Sequence, residues 1–334
     1  MLKNKGYDFI TIGGATEDVT FRTDEGVFVD DPKIPEQKLM GFRYGSKIKI
    51  KEAHSSFGGG ASNASVNFAG LGFKAAALVA VGKDDRGKKI LENLKKNRVD
   101  TSYVQKKDRE SGFSFLLVGP DNEHIVFSNR AANQELEIGK KELDLIKKSN
   151  WVHITSLSGK WKQNLRQIFS LAPEKKISWN PGHVQLQAGV KSLSRFLKKT
   201  EVLFVNREEA IELMLSDDKY QKKEDEFFLE IKNLLKALKE YGPSLVVVTR
   251  GKKGANAYDG EKFYYQAKIK EKRKIDTTGV GDAFNSSLAV GLRLYQGDVQ
   301  KAMKLGSYNT ASVIAQEGAQ NGLLTKKDIG SLDI

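Results

Sequence analysis

Short apolar runs alternate with helix-period segments along most of the chain, and this alternation restricts the fold more than any other feature. Runs of this length suit buried strands, and the segments between most of them carry apolar residues at helical spacing. Strands separated by helices form βαβ units, which build a largely parallel sheet with helices on both faces. The sequence therefore predicts an α/β, doubly wound fold. The predicted strands are Phe9–Ile12, Ala76–Val81, Trp151–Ile154, Lys176–Trp179, Val202–Val205 and Leu245–Thr249, and the predicted helices include Arg86–Lys96, Lys140–Lys148, Trp161–Leu171 and Glu226–Tyr241.

Two stretches, residues 19–57 and 111–128, interrupt the alternation. The first has short alternating runs separated by Gly and Pro, and the second has the pattern of a β-hairpin that turns at Gly119–Asn122. We expect the two insertions to form a small sheet that covers a cleft at the carboxyl ends of the main strands. Length alone permits one domain or two, and we predict a single domain over residues 1–334.

The composition excludes several classes of function. The chain has no cysteine, which excludes disulfides, thiolate metal sites and thiol redox chemistry. Its four histidines are scattered and form no HxxxH or HxH pair, which argues against a histidine metal centre. No apolar run approaches the ~20 residues of a membrane span, and the amino terminus does not have the pattern of a signal peptide. We expect a soluble, cytoplasmic protein with no membrane partner.

The net charge of +13 favours polyanionic partners: nucleic acid, anionic lipid or phosphorylated metabolites. Many of the lysines stand in Lys–Lys pairs on predicted helix faces, which is typical of a solvated surface. Aromatic and basic residues do not interleave as they do in a nucleic-acid groove. We therefore expect no nucleic-acid partner.

The segment Asp276–Phe284, DTTGVGDAF, carries the strongest chemical signal. Gly279 and Gly281 precede a helical pattern and let backbone amides face inward at the start of a helix, where free N–H groups and the helix dipole attract anions. Asp282 is unfavourable beside a bound anion unless it takes a proton from a hydroxyl that attacks a phosphate. A carboxylate is also favoured in the first turn of a helix for structural reasons alone. From these residues, the two interpretations of Asp282 have equal weight.

Two further segments combine glycines with polar side chains. Gly58–Gly72 is a glycine turn that opens a helix of small residues, where Asn63 offers a donor and an acceptor, although a tight turn packed on another helix has the same pattern. Ile10–Asp18 is a strand that ends in glycines and an acid. Ligands of open α/β sheets bind at the carboxyl ends of strands, so Asp18 is either a ligand of vicinal hydroxyls or a solvated loop carboxylate. No GxGxxG follows this strand and no GxxxxGK[ST] occurs, which argues against a dinucleotide-binding dehydrogenase and a P-loop kinase.

These three segments, in this order and at these separations, resemble the ribokinase-like (phosphofructokinase B type) carbohydrate kinase family over nearly the whole chain. DTTGVGDAF is close to the family signature DTxGAGD, with Val280 in place of the usual Ala, and residues 58–63 fit its GGxxxN signature. Asn206–Glu209 fits the family's NxxE motif, and Val247–Ala255 resembles its nucleotide-binding strand and turn. Four concordant motifs make the resemblance highly specific.

The resemblance implies an ATP-dependent phosphotransferase that uses Mg²⁺ and, as in many members, a monovalent cation such as K⁺. Asp282 is then the general base that deprotonates the acceptor hydroxyl, and the backbone amides of residues 279–281 form an anion hole for the transferring phosphoryl group. The resemblance implies that Thr249, Gly251, Gly254 and Thr278 bind the nucleotide. It implies that Asn206 and Glu209 organise Mg²⁺ and its waters. The monovalent cation would be bound by Asp276 and Thr278 together with the loop at Gly318–Ala319.

The resemblance also implies that Asp18, Gly59 and Asn63 hold the hydroxyls of the acceptor. The two insertions are the family's lid, through which a homodimer would form. Ribokinases usually have Asn where this chain has Thr16, and a carboxylate after the middle strand, where residues 155–158 read TSLS. D-ribose is therefore not the expected acceptor.

The acceptor is open between several classes. Arg130 follows the hairpin and suits an acidic or phosphorylated sugar, but it fits a surface arginine equally well. A nucleoside kinase on the same fold is the main alternative to a sugar kinase, and it requires an aromatic slot for the base. A non-catalytic sugar-binding module is a remote alternative, because all the catalytic motifs are present. The candidates for a base slot are Phe21, Phe28, Phe42 and Phe57 in the first insertion.

Overall fold

The computed structural model describes residues 6–30, 38–119 and 124–334. Strands and helices alternate along most of this length. The strands are β1 (Tyr7–Ile12), β2 (Thr16–Arg22), β3 (Val27–Asp30), β4 (Lys38–Gly41), β5 (Glu52–Gly58), β6 (Ala75–Leu78), β7 (Ala80–Gly82), β8 (Gln105–Lys107), β9 (Phe113–Val118), β10 (His124–Asn129), β11 (Ser149–Ile154), β12 (Lys176–Trp179), β13 (Val202–Asn206), β14 (Leu245–Thr249), β15 (Ala255–Tyr258) and β16 (Phe263–Gln266). The helices are α1 (Gly60–Gly70), α2 (Asp85–Lys96), α3 (Lys140–Lys147), α4 (Trp161–Phe169), α5 (His183–Gln187), α6 (Gly189–Leu197), α7 (Arg207–Leu215), α8 (Asp218–Gln221), α9 (Asp225–Leu229), α10 (Ile231–Lys239), α11 (Val280–Leu294), α12 (Val299–Ile314) and α13 (Lys326–Ile329).

The main sheet of the described residues has eight strands in the order β16-β15-β14-β13-β12-β11-β1-β6. The six strands from β14 to β6 run parallel, and β15 and β16 add an antiparallel edge. The predicted α/β, doubly wound fold is therefore confirmed. All six parallel strands end at the same edge of the sheet, so the loops that follow them meet there.

Alternate side chains of the parallel strands enter two hydrophobic cores on opposite faces of the main sheet. On β11, Trp151 enters the core formed with α1, α11 and α12. Val152 and Ile154 enter the core formed with α3, α4, α6, α7 and α10. A strand that is buried on both faces needs apolar side chains at nearly every position. This requirement is why the parallel strands can be recognised in the sequence as nearly continuous apolar runs.

A second sheet, β10-β9-β2-β5, is built from both interruptions of the alternation. In it, β2 pairs antiparallel with β5 and parallel with β9, and β9 and β10 form the predicted hairpin. Of the predicted hairpin turn Gly119–Asn122, residues 120–122 lie outside the described part of the chain. The sheet begins at Thr16, three residues before the predicted insertion at 19–57. Asp18 therefore lies on a strand instead of in a loop, because residues 16–22 alternate between two faces of a paired strand.

Two predicted elements are divided in the structure. The run Ala76–Val81 is not one strand: β6 pairs with β1 and ends at Leu78, whereas β7 leaves the main sheet and pairs with β8. The predicted helix Glu226–Tyr241 is divided at Glu230, whose backbone is extended and whose side chain accepts a hydrogen bond from the backbone N–H of Lys232. Glu230 acts as an N-cap and starts α10 as a separate helix.

The surface carries the excess of positive charge. Ten lysines in five Lys–Lys pairs are exposed, as predicted. Within the described residues, no helix is both long enough and apolar enough to cross a membrane. The lysine pairs are at 88–89, 95–96, 140–141, 147–148 and 198–199.

Candidate active site

The helix α11 begins at the carboxyl edge of the main sheet with a left-handed glycine. Gly279 has a φ of 73°, and it caps α11 without any side-chain hydrogen bond. A Cβ at this position would lie 2.3 Å from the Cβ of Ala319, so only glycine fits. The N–H groups of the first turn have no side-chain cap in the described residues, and such groups attract anions. The predicted anion hole of residues 279–281 therefore has a suitable backbone.

Three of the four predicted nucleotide-binding residues, Thr249, Gly251 and Gly254, border the same cavity as the start of α11, whereas Thr278 does not line it. This cavity has a volume of about 120 Å³. A Cβ added to Gly281 would meet no atom within 4 Å, which shows that this side of the helix start is open. Sequence reasoning missed Lys268, Ile269, Ser307 and Thr310, because they come from segments without a motif, and it gave no role to Ala255 and Phe284, which lie within motifs. The cavity is lined by Thr249, Gly251, Gly254, Val280 and Gly281 from the predictions and by Ala255, Lys268, Ile269, Phe284, Ser307 and Thr310.

Asp282 lies in the first turn of α11, beside the start of α1. Its side chain is half-buried, and its Oδ2 accepts a hydrogen bond of 2.8 Å from Asn63 Nδ2. Burial raises the pKa of the Asp282 carboxyl, the negative charge of Asp18 raises it further, and the hydrogen bond from Asn63 lowers it. A carboxyl whose pKa is raised by its surroundings is suited to accept a proton.

Asp18 is buried on β2, with 6% of its surface exposed. Its Oδ1 accepts a hydrogen bond of 2.9 Å from Thr16 Oγ1. Burial raises the pKa of Asp18, while hydrogen bonds from Ser114 and Thr16 and the charge of Arg130 lower it. The exposed Arg130 therefore lies near Asp18. A Cβ at Gly58 would be 1.9 Å from Asp18 Oδ2, which explains why glycine stands at the end of β5.

The glycine turn before α1 packs against the loop that follows β1. Gly59 has a φ of 87°, and a Cβ there would lie 2.6 Å from the Cα of Ala15. The side chain of Asn133 holds the same loop, because Oδ1 accepts from Ala15 N and Nδ2 donates to Ala15 O, both at 3.0 Å. The turn therefore has the tight packing that the sequence left as one alternative, and it brings Asn63 to Asp282. No motif marks Asn133.

Asn206 and Glu209 form a reciprocal cap at the start of α7. Asn206 Oδ1 accepts from Glu209 N, and Glu209 Oε2 accepts from Asn206 N, each at 2.8 Å. Asn206 is the neighbour of Thr249 across β13 and β14. Burial raises the pKa of Glu209, with smaller contributions from nearby carboxylates that include Asp282. NxxE is thus a capping box that faces the site, a structural function that sequence reasoning missed.

Asp276 connects the two segments that were predicted to hold a monovalent cation. Its Oδ1 accepts from the backbone N–H and the hydroxyl of Thr278, at 2.8 and 2.7 Å. Its Oδ2 accepts from Gly318 N at 2.8 Å. The loop at Gly318–Ala319 is therefore next to the start of α11, as predicted.

Two polar residues near the site were not predicted. Gln320 Nε2 donates to Asn63 Oδ1 at 2.9 Å. Glu17, with 5% of its surface exposed, forms ion pairs with Arg86 and Lys89 of α2 at 3.1 and 3.3 Å, and these pairs attach β2 to α2. Gln320 and Glu17 belong to no sequence motif. Their partners are distant in the chain, so no local pattern marks these contacts. Another cavity, of about 710 Å³, lies at the opposite edge of the sheet and is lined by none of the predicted site residues.

The sequence is similar to characterised and uncharacterised kinases along most of its length. It is 26% identical over 260 residues to an uncharacterised sugar kinase of Archaeoglobus fulgidus, covering 76% of this chain and 96% of that protein. It is 25% identical over 315 residues to an ATP-dependent ribose-1-phosphate kinase of Halopiger xanaduensis, covering 93% of each.

The fold is also that of a solved kinase. The crystal structure of the Methanocaldococcus jannaschii nucleoside kinase, an archaeal member of the ribokinase family, matches 98% of each chain with a TM-score of 0.72 and 22% identity. This likeness confirms the ribokinase fold. Residues 27–326 match the family described as pfkB family carbohydrate kinase. With the fold, the site and this match taken together, the chain belongs to the pfkB family of carbohydrate kinases.

Proposed function

We propose that this chain transfers the γ-phosphate of ATP to a hydroxyl of a sugar or sugar-like polyol, with residues 1–334 acting as one domain. Asp282 is the general base. The observation that supports this proposal best is the position of the Asp282 carboxylate beside the uncapped start of α11, with a pKa that burial raises. A base is thus next to a site that attracts a phosphate.

The chain's own residues account for each part of the transfer. Asp282 accepts the proton of the acceptor hydroxyl while the oxygen forms a bond to the γ-phosphorus and the bond from that phosphorus to the leaving ADP oxygen breaks. The backbone amides of residues 279–281 stabilise the charge on the transferring group. Asn63 holds the Asp282 carboxylate in place through its Nδ2.

The arrangement fits ATP with Mg²⁺. The cavity beside Gly281 and Thr249 is open to a nucleotide, and Asn206 lies next to Thr249 across two strands. The capping box uses Asn206 Oδ1 and Glu209 Oε2, which leaves the second lone pair of Asn206 Oδ1 and the Oε1 atom of Glu209 to bind water. Oxygen ligands and water are what Mg²⁺ prefers. When bound, the ion would neutralise phosphate charge. Asn206 and Glu209 would hold its waters.

A monovalent cation fits beside the anion hole. Asp276 accepts hydrogen bonds from Thr278 and Gly318, so the loop of residues 276–278 and the loop at Gly318 lie together next to Gly279. We expect the rate to be higher in K⁺ than in a bulky organic cation at equal ionic strength. Equal rates in the two salts would remove this part of the proposal.

The face of the second sheet that carries Asp18 favours a polyhydroxylated acceptor. In the strand register, Ser56 and Ser114 flank Asp18 on either side, and cross-strand neighbours share a face. Thr155 adds a buried hydroxyl whose Oγ1 has no hydrogen-bond partner in the described part of the chain. A Cβ on Gly60 would lie 3.0 Å from Thr155 Oγ1 and 3.1 Å from Asp282 Oδ1, so this hydroxyl is close to the base.

Two of the four aromatic residues considered for a nucleobase slot, Phe21 and Phe57, lie on this sheet but on its other face. Phe21 is three residues from Asp18 on β2, and Phe57 is next to Ser56, the partner of Asp18, on β5. Successive side chains of a strand point to opposite faces, so both rings lie on the face away from Asp18. Phe21 packs on Phe115, with ring centroids 4.4 Å apart. Phe28, on β3, is 39% exposed. These positions favour a sugar over a nucleoside.

The second sheet and the neighbouring β3–β4 ribbon also expose apolar side chains. Val29 and Phe127 are 56% and 55% exposed. On β10 three consecutive apolar residues, Ile125, Val126 and Phe127, are exposed. Such a run suits an interaction surface, and we propose that a homodimer forms through the second sheet. Light scattering of wild type and Phe127→Lys tests this: the variant should shift to monomer, and a monomeric wild type would contradict it.

One screen and one variant test the proposed function. ATP consumption should be measured over pentoses, hexoses, sugar acids, sugar phosphates and nucleosides, and we expect turnover with a sugar or sugar derivative. Asp282→Asn keeps the shape but cannot accept the proton, so kcat should fall by about 10²–10⁴-fold with ATP affinity changed only a few-fold. Near wild-type kcat in this variant would overturn the role of Asp282, and turnover of nucleosides alone would overturn the acceptor class.

A further inference from the structure

Four side-chain amides form a series that ends on Asp282. Asn97 Nδ2 donates to Asn93 Oδ1 at 3.2 Å, and Asn93 Nδ2 donates to Gln320 Oε1 at 2.7 Å. Gln320 Nε2 donates to Asn63 Oδ1 at 2.9 Å, and Asn63 Nδ2 donates to Asp282 Oδ2 at 2.8 Å. In each of the three amides after Asn97, the oxygen accepts from the preceding residue and the nitrogen donates to the next one.

The carboxylate at the end determines the direction of the whole series. An ionised Asp282 can only accept hydrogen bonds, so Asn63 must turn its nitrogen to it. The oxygen of Asn63 then needs a donor, and Gln320 supplies one. Because all the amide dipoles point the same way, each bond polarises the next, and the last bond stabilises the negative charge on Asp282.

The series joins three parts of the chain that are distant in sequence. Asn93 lies on α2 and Asn97 caps its end, Asn63 lies on α1, and Gln320 lies in the segment after α12. Asn63 is 4% exposed, so water has little access to its oxygen. Gln320 also donates to Ser62 Oγ at 2.9 Å, which fixes its own amide.

We propose that Gln320 is a positioning residue for the kinase reaction: it holds the Asn63 amide in the one orientation that donates to Asp282. This inference rests on the proposed role of Asp282 as the base. Gln320 acts through Asn63: within the described residues its side chain forms hydrogen bonds with Asn93, Ser62 and Asn63, and none of these belongs to the anion hole. It is a determinant of catalysis that no motif of the sequence contains.

The loss of the Gln320 donor has a defined consequence. Without it, the buried oxygen of Asn63 has no side-chain donor, and Gln320 no longer opposes a half-turn of the amide, so the bond from Asn63 Nδ2 to Asp282 becomes weaker. The two other carboxyls that face Asp282, Asp18 from β2 and Glu209 from α7, stay in place and favour its protonation. Asp282 would then hold its proton to a higher pH, and the fraction of ionised base would fall at pH values around its titration midpoint.

Two substitutions of Gln320 separate the effect of losing its donor from the effect of adding a charge. Gln320→Met has a similar length without a donor, and Gln320→Glu keeps the acceptor for Asn93 but loses the donor. Gln316→Met is the matched control, because Gln316 is exposed on the same segment. Thermal unfolding of each variant shows whether the fold is retained.

The test is the titration of the Asp282 carboxyl carbon by ¹³C NMR in the full-length protein without substrate, with its signal assigned by its loss in Asp282→Asn. We expect the midpoint to rise by about one pH unit in both Gln320 variants, since a hydrogen bond to a charged group carries about that much. Gln316→Met should match wild type. Equal midpoints in wild type and Gln320→Met, or a shift in Gln320→Glu alone, would overturn the proposal.

Turnover distinguishes the failure of this inference from the failure of the proposed function. With the acceptor found in the screen, Gln320→Met should move the acid limb of the kcat pH profile upward by about one pH unit, so that kcat falls by up to about tenfold below the midpoint of that limb. The KM for ATP should stay within about twofold of wild type, because the anion hole is unchanged. If Asp282→Asn is inactive while the Gln320 profiles equal wild type, only the positioning role fails. If Asp282→Asn is active, the base itself is wrong.

Discussion

The Nδ2 atom of Asn63 lies 2.8 Å from the Oδ2 atom of Asp282, across 219 positions of sequence. This bond joins the first turn of α1 to the first turn of α11. It means that the glycine turn before α1 contributes to the environment of the base as well as to the packing of the loop after β1.

Asn63→Leu should therefore impair turnover more than acceptor binding. The variant removes the donor to Asp282 and keeps a side chain of similar size. We expect kcat to fall by about 10-fold or more, since one hydrogen bond to a charged group is lost, and the acid limb of the kcat profile to move to higher pH. Steady-state kinetics of the variant and wild type from pH 5 to 9 checks this, and the rates near neutral pH are compared first. A large rise in acceptor KM with unchanged kcat would instead support the direct acceptor contact that the sequence suggested.

Asp18→Asn should impair acceptor binding specifically. Asp18 lies on the second sheet, between Ser56 and Ser114, and not beside the nucleotide cavity. We expect the KM of the acceptor to rise at least about tenfold, because hydrogen bonds to a charged carboxylate are lost, while the KM of ATP changes little. Asp24→Asn is a suitable control, since Asp24 is exposed shortly after the same strand and pairs with Lys51. Equal effects of Asp18→Asn on both KM values would contradict the assignment.

The two glycines of the anion hole should respond differently to alanine. Gly279→Ala places a methyl group against Ala319 at a positive φ, so it should destabilise the fold by at least the ~1–2 kcal/mol of a left-handed alanine. Gly281→Ala meets no protein atom, and it should keep or slightly raise the melting temperature while weakening ATP binding, because its methyl group enters the nucleotide cavity. Calorimetric unfolding and ATP titration measure both effects. Unchanged ATP affinity in Gly281→Ala would argue against phosphate binding at this turn.

The second sheet should become more protected when acceptor is bound. We propose that it acts as a lid, because a phosphoryl-transfer site that excludes water avoids hydrolysis of ATP. Hydrogen exchange should slow in residues 16–22, 52–58 and 113–118 on addition of the acceptor found in the screen. The edge strand β16, at the far side of the main sheet, is the internal control. The same exchange rates with and without saturating acceptor would be evidence against a lid.

The sequence by itself determined the fold class and the local motifs. Parallel strands buried on both faces must be mostly apolar, so β11–β14 are visible as nearly continuous apolar runs, with His153 and Ser178 as buried polar exceptions. The anion hole and the Asn206–Glu209 cap each form within a few residues, and their geometry follows from local backbone rules for glycine and for helix starts. For these reasons the family resemblance, the α/β fold and the kinase activity of the family could be predicted and were confirmed.

Only the tertiary structure decided which of these motifs meet, and through which partners. The bond from Asn63 to Asp282, the bridge from Asp276 to Gly318 and the location of Asp18 on a strand of the second sheet depend on packing between distant segments. Gln320 carries no local signal at all, because its role comes from the amide and carboxylate around it. A hydrogen bond between segments leaves no pattern in either segment alone, and therefore a single sequence does not reveal it.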